Sequence, residues 1–267
     1  MSRLRVLAVA LSLLSLEGCA LTGGPPLAAT PQRPSVSSDT NTTHEGTFEL
    51  EAGLTAADDD SYDTPLALKY GAGPATELFV GWSPLLHVEG GGLDETGIGD
   101  LTLGVRHRLR DATPERASLA LQGVAKLPTA DDSDGLGSGE NDVFVAGIAS
   151  KAVGELAMTG FVQLDVIGDP GGGADLGTTL AVAAGRPLDA ELGLFGELAG
   201  SFLPDEDIEN VAALIGLAWS PHPDLVFDLA IAAGLTDDAS DFRVLIGLTR
   251  NLGSRAAARR DQPPTGP

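Results

Sequence analysis

Residues able to do chemistry fall into two sets in this sequence. Charged side chains recur singly inside apolar runs, at Glu49, Glu51, Lys69, Glu77, Arg106, Arg108, Lys126, Asp165, Glu191, Glu197, Asp228 and Arg243. Acidic residues gather between the runs, among them Asp131, Asp132 and Asp134 in a glycine-rich loop. Neither set spells a catalytic constellation. There is no serine elbow, zinc spacing, Cys–His pair or phosphate loop. His44, His87, His107 and His222 are scattered, which argues against a zinc site or a histidine dyad. Asp132, Asp134 and Gly135 match part of a calcium loop, but Ala130 stands at the first ligand position and Asn141 at the bidentate glutamate. An EF-hand is therefore excluded, and clustered carboxylates offer only loose divalent binding. No catalytic residue, cofactor or metal is expected, and the chain does not read as an enzyme.

The single charges make sense once the runs around them are read as strands. Leu119, Leu121, Gly123, Ala125 and Leu127 share one face of a run, and Ser118, Gln122 and Lys126 share the other. Pro128 and Gly135 end that run, and a second alternating run opens near Asn141. Alternation with period two over about ten residues is a strand signal, and this length suits a membrane-spanning barrel strand. Leu101, Leu103, Val105 and Leu109 oppose Thr102, Gly104, Arg106 and Arg108 in the same way; Leu192, Leu194 and Leu198 oppose Glu191, Phe195 and Glu197. Leu225, Phe227, Leu229, Ile231 and Leu235 oppose Asp228. In water such apolar faces need a second layer; in lipid they need none. The twelve charged positions above then line a lumen, either as interior ion pairs that hold a plug-free barrel rigid or as readers of a solute. The run Val211–Trp219 is apolar on both faces, which fits a greasy inner track or a packed core strand equally.

Gly99-Asp100-Leu101, Lys126-Leu127-Pro128-Thr129 and Leu136-Gly137-Ser138-Gly139 with Asp142 carry a family resemblance. Together they resemble the outer-membrane "transporter" proteins of the MetA-pathway of phenol degradation family, although Ala130 stands where that family usually has Gly. The resemblance implies uptake of small, hydrophobic or aromatic compounds through an outer-membrane barrel. Its motifs are topological rather than catalytic, and they cover about a fifth of the chain.

At the start of the chain, Arg3 and Arg5 precede an apolar core, Val6–Leu16, too short to span a bilayer. Residues 1–19 therefore read as a signal peptide. Leu16-Glu17-Gly18-Cys19 resembles a lipobox, which makes Cys19 a lipidation candidate; ordinary cleavage after Ala20 is the alternative. With this single Cys, no internal disulfide framework exists. Residues 20–45 contain Pro25, Pro26, Pro31 and Pro34 with a Ser/Thr/Asn run, and read as a disordered periplasmic linker. Residues 253–267 read as a disordered tail that carries Arg255, Arg259 and Arg260.

Between these ends, residues 46–252 break into about twelve strand-length segments joined by turns of alternating kind. Short connections fall at 71–74, 110–114, 153–154, 187–188 and 221–223. Long ones fall at 57–60, 83–96, 131–134, 169–175, 204–207 and 237–241, and most are acidic. Such alternation is the mark of an even-stranded outer-membrane barrel with short periplasmic turns. The expected fold is all-β, a transmembrane up-and-down β-barrel of about twelve antiparallel strands, with a narrow lumen suited to small solutes. Phe79, Trp82, Phe202, Trp219, Phe227 and Phe242 are the candidates for its aromatic girdles. Expected partners are outer-membrane lipid, lipopolysaccharide and a small-molecule solute. The net charge of −22 argues against nucleic acid. A second reading is a structural or adhesive barrel whose acidic loops bind cations. The glycine-rich loop Thr129–Glu140 is expected to dip toward the lumen mouth, which would bring Asp131, Asp132 and Asp134 to the solute path.

Overall fold

A computed structural model describes residues 27–253, apart from 91, 205 and 206. In chain order its strands are β1 (Phe48–Ala57), β2 (Tyr62–Asp63), β3 (Leu66–Gly73), β4 (Thr76–Trp82), β5 (Leu86–Gly90), β6 (Leu93–Gly97), β7 (Leu101–Arg110), β8 (Ser118–Leu127), β9 (Asp142–Val153), β10 (Leu156–Gly168), β11 (Ala174–Pro187), β12 (Leu192–Leu203), β13 (Ile208–His222), β14 (Leu225–Gly234) and β15 (Phe242–Asn251). Twelve of them, all but β2, β5 and β6, form a closed antiparallel barrel. It closes where β1 pairs with β15, from Glu49 opposite Asn251 to Ala57 opposite Arg243. Closure leaves no spanning strand with unpaired backbone, which a hydrocarbon environment demands.

Alternation sorts the side chains as expected. Val162, Leu198, Ile215 and Leu229 point outward and are each more than half exposed, whereas Glu49, Glu77 and Thr249 point inward and are fully buried. This is a membrane protein's inversion: apolar outside, charged within. The short turns all lie at the end that holds the start of β1 and the end of β15, and the long loops lie at the other.

Two features depart from the sequence reading. Residues 83–96 are not a plain loop. They supply the β5–β6 hairpin, which joins β2 in a small extension of the sheet beyond the barrel's outer end. The larger departure concerns residues 27–45, the described part of the stretch 20–45 that reads from sequence as a disordered periplasmic linker. The structure places them inside the barrel, with Pro34, Ser37, Thr40, Thr42 and Thr43 buried. The notion of a plug-free lumen is overturned with them. Residues 1–26, which include the expected signal peptide and Cys19, and the expected tail from residue 254 lie outside the described residues.

Candidate functional site: a plugged lumen

The inserted segment enters at the short-turn end, where the Ala29 amide donates to the Pro223 carbonyl in the β13–β14 turn. It rises along the β1 wall. The Thr30 amide and hydroxyl donate to Glu49 at 2.9 Å each, and the Gln32 amide donates to Glu51 at 2.8 Å. Lys69 locks these acceptors in place, with Nζ 2.5 Å from Glu49 and 2.7 Å from Glu51, and it also donates to the Thr30 carbonyl. Arg33 reaches furthest. Its guanidinium lies against Gly53 and Gly247, which face each other across the β1–β15 seam. A methyl group on Gly53 would stand 2.1 Å from Arg33 Nη2, so the paired glycines form the notch that admits this side chain. Arg33 also donates to the Ile246 carbonyl at 3.2 Å and sits 3.9 Å from Asp228.

The segment then crosses the lumen. Glu197 on β12 accepts the Val36 amide at 2.7 Å, the Ser37 amide at 2.9 Å and the Ser37 hydroxyl. On the far wall Thr40 meets Ser118 and Ser150 on β8 and β9. Arg106 donates to the Asn41 carbonyl, and Glu77 accepts both the Thr43 amide and hydroxyl at 2.7 Å. Glu45 bridges to Gly71, and β1 begins three residues later. Four wall glutamates thus hold a strand-less loop by its backbone N–H groups. Acceptors with full charge suit this work, because each such bond is roughly twice as strong as a neutral one.

These contacts sort the lumen residues expected from sequence. Glu49, Glu51, Lys69, Glu77, Arg106, Glu197 and Asp228 face inward, and each touches or pairs with the inserted segment or with a residue that holds it. Asp165 faces inward but serves the wall, accepting from Gln163 and Thr179. Arg243 faces inward at the outer end of β15, opposite Ala57. Arg108 sits at the short-turn rim, bound to Asp111 at 2.7 Å and to the Pro74 carbonyl. Glu191 does not line the lumen: it lies exposed in the β11–β12 turn, where it accepts from Trp219 Nε1 at 3.3 Å. Its strand begins one residue later, at Leu192, so the alternation of inward and outward side chains does not extend to Glu191.

Lys126 marks a second cluster at the outer mouth. Its Nζ lies 2.6 Å from Asp142, 3.2 Å from Asp100 and 2.5 Å from the Ser138 hydroxyl. Asp100 in turn accepts the Thr129 and Ala130 amides at 2.8 and 2.9 Å, and Thr129 Oγ1 accepts the Leu101 amide. The three motif stretches singled out in the sequence therefore meet in one polar knot that ties the β8–β9 loop to β7. Gly137 is packed against Asp100, leaving no room for a side chain. Asp100, Thr129, Ser138 and Asp142 were visible as motif letters; that they converge was not.

The loop itself does fold inward, though not with its acids. Gly135 and Gly139 adopt φ of 72°, which turns Leu136 in to be buried against Gly97 of β6. Asp131 and Asp132 stay exposed, and Asp134 is only partly covered. The Ser133 hydroxyl and amide, both donated to Asp131, hold that carboxyl below its usual range. The expectation that these acids front the solute path is corrected accordingly.

Above the inserted segment lies a cavity of about 320 Å³, lined by Arg33, Glu51, Ala67, Phe79, Asp100 and Thr102 among others. Phe79, expected on an outer girdle, instead turns inward over Gly104, with the Arg106 guanidinium 6.0 Å from its ring centre. Asp63 closes this side near the mouth, and burial raises its carboxyl pKa against hydrogen bonds from Ser83 and Thr64. Within the run Val211–Trp219 only Leu214 of the larger apolar residues turns inward, packing with Phe195 on Ala230, Ala232 and Leu245. It belongs to a small packed cluster rather than a continuous greasy strip. Among the described residues no His/Cys/Asp/Glu group has the arrangement to hold a metal.

A closed barrel with an apolar exterior, a charged interior and all its long loops at one end is an outer-membrane β-barrel, and it resides in the bacterial outer membrane. Residues 32–251 match the family described as "Putative MetA-pathway of phenol degradation", and the chain belongs to that family. Among solved structures, the COG4313 outer membrane channel from Pseudomonas putida F1 is similar at 15% identity and a TM-score of 0.61, over 82% of this chain and 100% of that one. The NanC porin is similar at 9% identity and TM-score 0.54, over 76% of this chain and 98% of its own. The KdgM porin gives 8%, 0.54, 76% and 98% in the same order. No curated protein matches the sequence.

Proposed function

We propose that the protein is an outer-membrane channel for small, hydrophobic or aromatic solutes, throttled by its own residues 29–47. The observation that carries this reading is the cavity of about 320 Å³ above the inserted segment, whose wall includes Phe79 and Arg33, with the Arg106 guanidinium 6.0 Å from the Phe79 ring centre behind it. That volume is at the low end of small-molecule sites and suits a solute of one ring. The membership of a family described by phenol degradation supports the same solute class. A solute entering from the long-loop end meets this vestibule first; onward passage needs the inserted segment to yield.

The same plugging favours a second reading, a sealed structural barrel whose acidic outer loops bind cations or lipopolysaccharide. Solute flux separates the two. Proteoliposomes holding the wild-type protein should swell in small phenolic and other neutral aromatic solutes faster than in sugars of larger size. No swelling in any solute, together with none after residues 27–45 are deleted, would refute the channel.

A further inference from the structure

The outer wall is not uniformly convex. Across β8 to β12 a groove of about 710 Å³ runs between two rows of outward side chains, with almost wholly apolar walls. Strand register defines it. One row passes Leu121, Gly147 and Val162; the next passes Ala149, Gly160 and Val182 toward Leu198. Gly147 and Gly160 make the dent, since a Cβ on either would meet nothing within 4 Å. The inward residues beneath, Ala120, Ile148, Phe161 and Ala181, are packed and buried, so the floor is solid. Crossing five strands at about 4.8 Å spacing, the groove is roughly 19 Å long. That exceeds the ~15 Å depth of one hydrocarbon leaflet, so its length suits an apolar chain lying obliquely to the membrane normal.

The two ends of the groove differ in depth and charge. At β12 it lies near mid-strand, whereas at β8 and β9 it lies close to the short turns. There Arg110 pairs directly with Leu119, and Lys151 is the next outward residue below Ala149. Among the described residues neither takes part in an ion pair. Nearby charges do: Arg108 with Asp111, and Arg186 with Glu155 at 3.9 Å. Glu115 is hydrogen-bonded to Thr113 within its own turn, and Arg116 is exposed beside it. The rest of this rim is built differently. Phe48 packs on Tyr70 with ring centres 4.8 Å apart, and Trp219 stacks on Phe227 at 5.6 Å, giving β1, β3, β13 and β14 an aromatic girdle. On β7 to β11 no described Phe, Tyr or Trp faces outward at that level. Cations stand there instead.

We propose that this groove seats an acyl chain of an anionic phospholipid from the periplasmic leaflet, whose phosphate is held by Arg110 and Lys151. Short turns place those cations at the periplasmic headgroup level. A basic residue near an anionic lipid surface strengthens attraction by roughly fivefold, so two supply about 30-fold. On the aromatic side the outward cation at this rim, Arg250, is already paired with Asp224 at 3.6 Å.

Native mass spectrometry in mild detergent tests this with two diacyl lipids of matched chains, phosphatidylglycerol and phosphatidylcholine. Wild-type protein should retain phosphatidylglycerol at least tenfold better than phosphatidylcholine. The double variant R110Q/K151Q should lose that preference. G160L, which fills the groove where space is open, should release both lipids while keeping heat-modifiable gel migration, the sign of an intact barrel. Equal retention of the two lipids by wild type would overturn the proposal, as would full phosphatidylglycerol retention by both variants. A dimer mass abolished by G160L would overturn it too, in favour of a second copy of this chain as the occupant.

Discussion

Replacing Glu197 with Gln should unseat the crossing section of the inserted segment and open the lumen. In the structure this carboxylate is 6% exposed and accepts three hydrogen bonds, from the Val36 amide and from the Ser37 amide and hydroxyl. Glutamine keeps the length but turns one acceptor oxygen into an NH₂ group that faces donors. At least one charge-assisted bond is lost and another weakened. At about 1.5–3 kcal/mol for a bond to a charged group, the seated state loses roughly 2–4 kcal/mol. Each 1.4 kcal/mol is a factor of ten, so the unseated fraction should rise by roughly 30- to 700-fold. Single-channel recording in planar bilayers reads this as more frequent or larger conducting events. Asp165→Asn is the matched control, because Asp165 serves only wall residues Gln163 and Thr179. Conductance of E197Q equal to that of wild type and of the control, with no added protease cleavage within residues 34–40, would refute the idea that Glu197 holds the segment.

Three further outcomes are expected. Gly53→Val should act like E197Q, because its side chain would occupy the space of the Arg33 guanidinium; unchanged conductance would show that Arg33 is not an anchor. Asp100→Ala removes the one carboxylate oxygen that accepts the Thr129 and Ala130 amides, and an ion pair with Lys126, and should free the β8–β9 loop. Limited proteolysis at residues 128–141 should accelerate about tenfold or more for about 1.4 kcal/mol lost, while the barrel still migrates as folded. Asp63→Asn should raise the unfolding temperature at neutral pH, since burial raises the Asp63 carboxyl pKa in the folded state. The sign follows from linkage: a raised acid pKa favours the folded state fully only below the unfolded pKa near 3.8, and this is lost as pH rises through the folded value. The gain from D63N should therefore vanish below about pH 3.8, and a gain that persists there would implicate packing instead.

How much of this protein was legible in its sequence follows from which forces act locally. Alternation fixes the faces of a strand, because successive side chains must point opposite ways. Leu119 and Leu121 against Ser118 and Gln122 therefore announced lipid and lumen without any partner in view. The strict exchange of short and long connections gave twelve barrel strands and one sidedness, again from chain order alone. Glu191 and Phe79 show the limit of that logic: one fell beyond the end of its strand, and the other was assigned from residue type rather than parity.

The inserted segment lay beyond the reach of composition. Residues 27–45 have too few apolar side chains to bury themselves in a hydrophobic core, and by that measure they are a tether. The barrel interior is a different partner. It is polar, so Thr30, Gln32, Ser37, Thr40 and Thr43 lose water but gain carboxylates on β1, β4 and β12 and hydroxyls on β8 and β9. Those acceptors come from five strands and exist as one surface only after closure of β1 on β15. The paired glycines 53 and 247 tell the same story, being 194 positions apart in sequence and opposite each other across that seam. Local chemistry therefore determined the wall of this barrel, and only its closure decided what fills it.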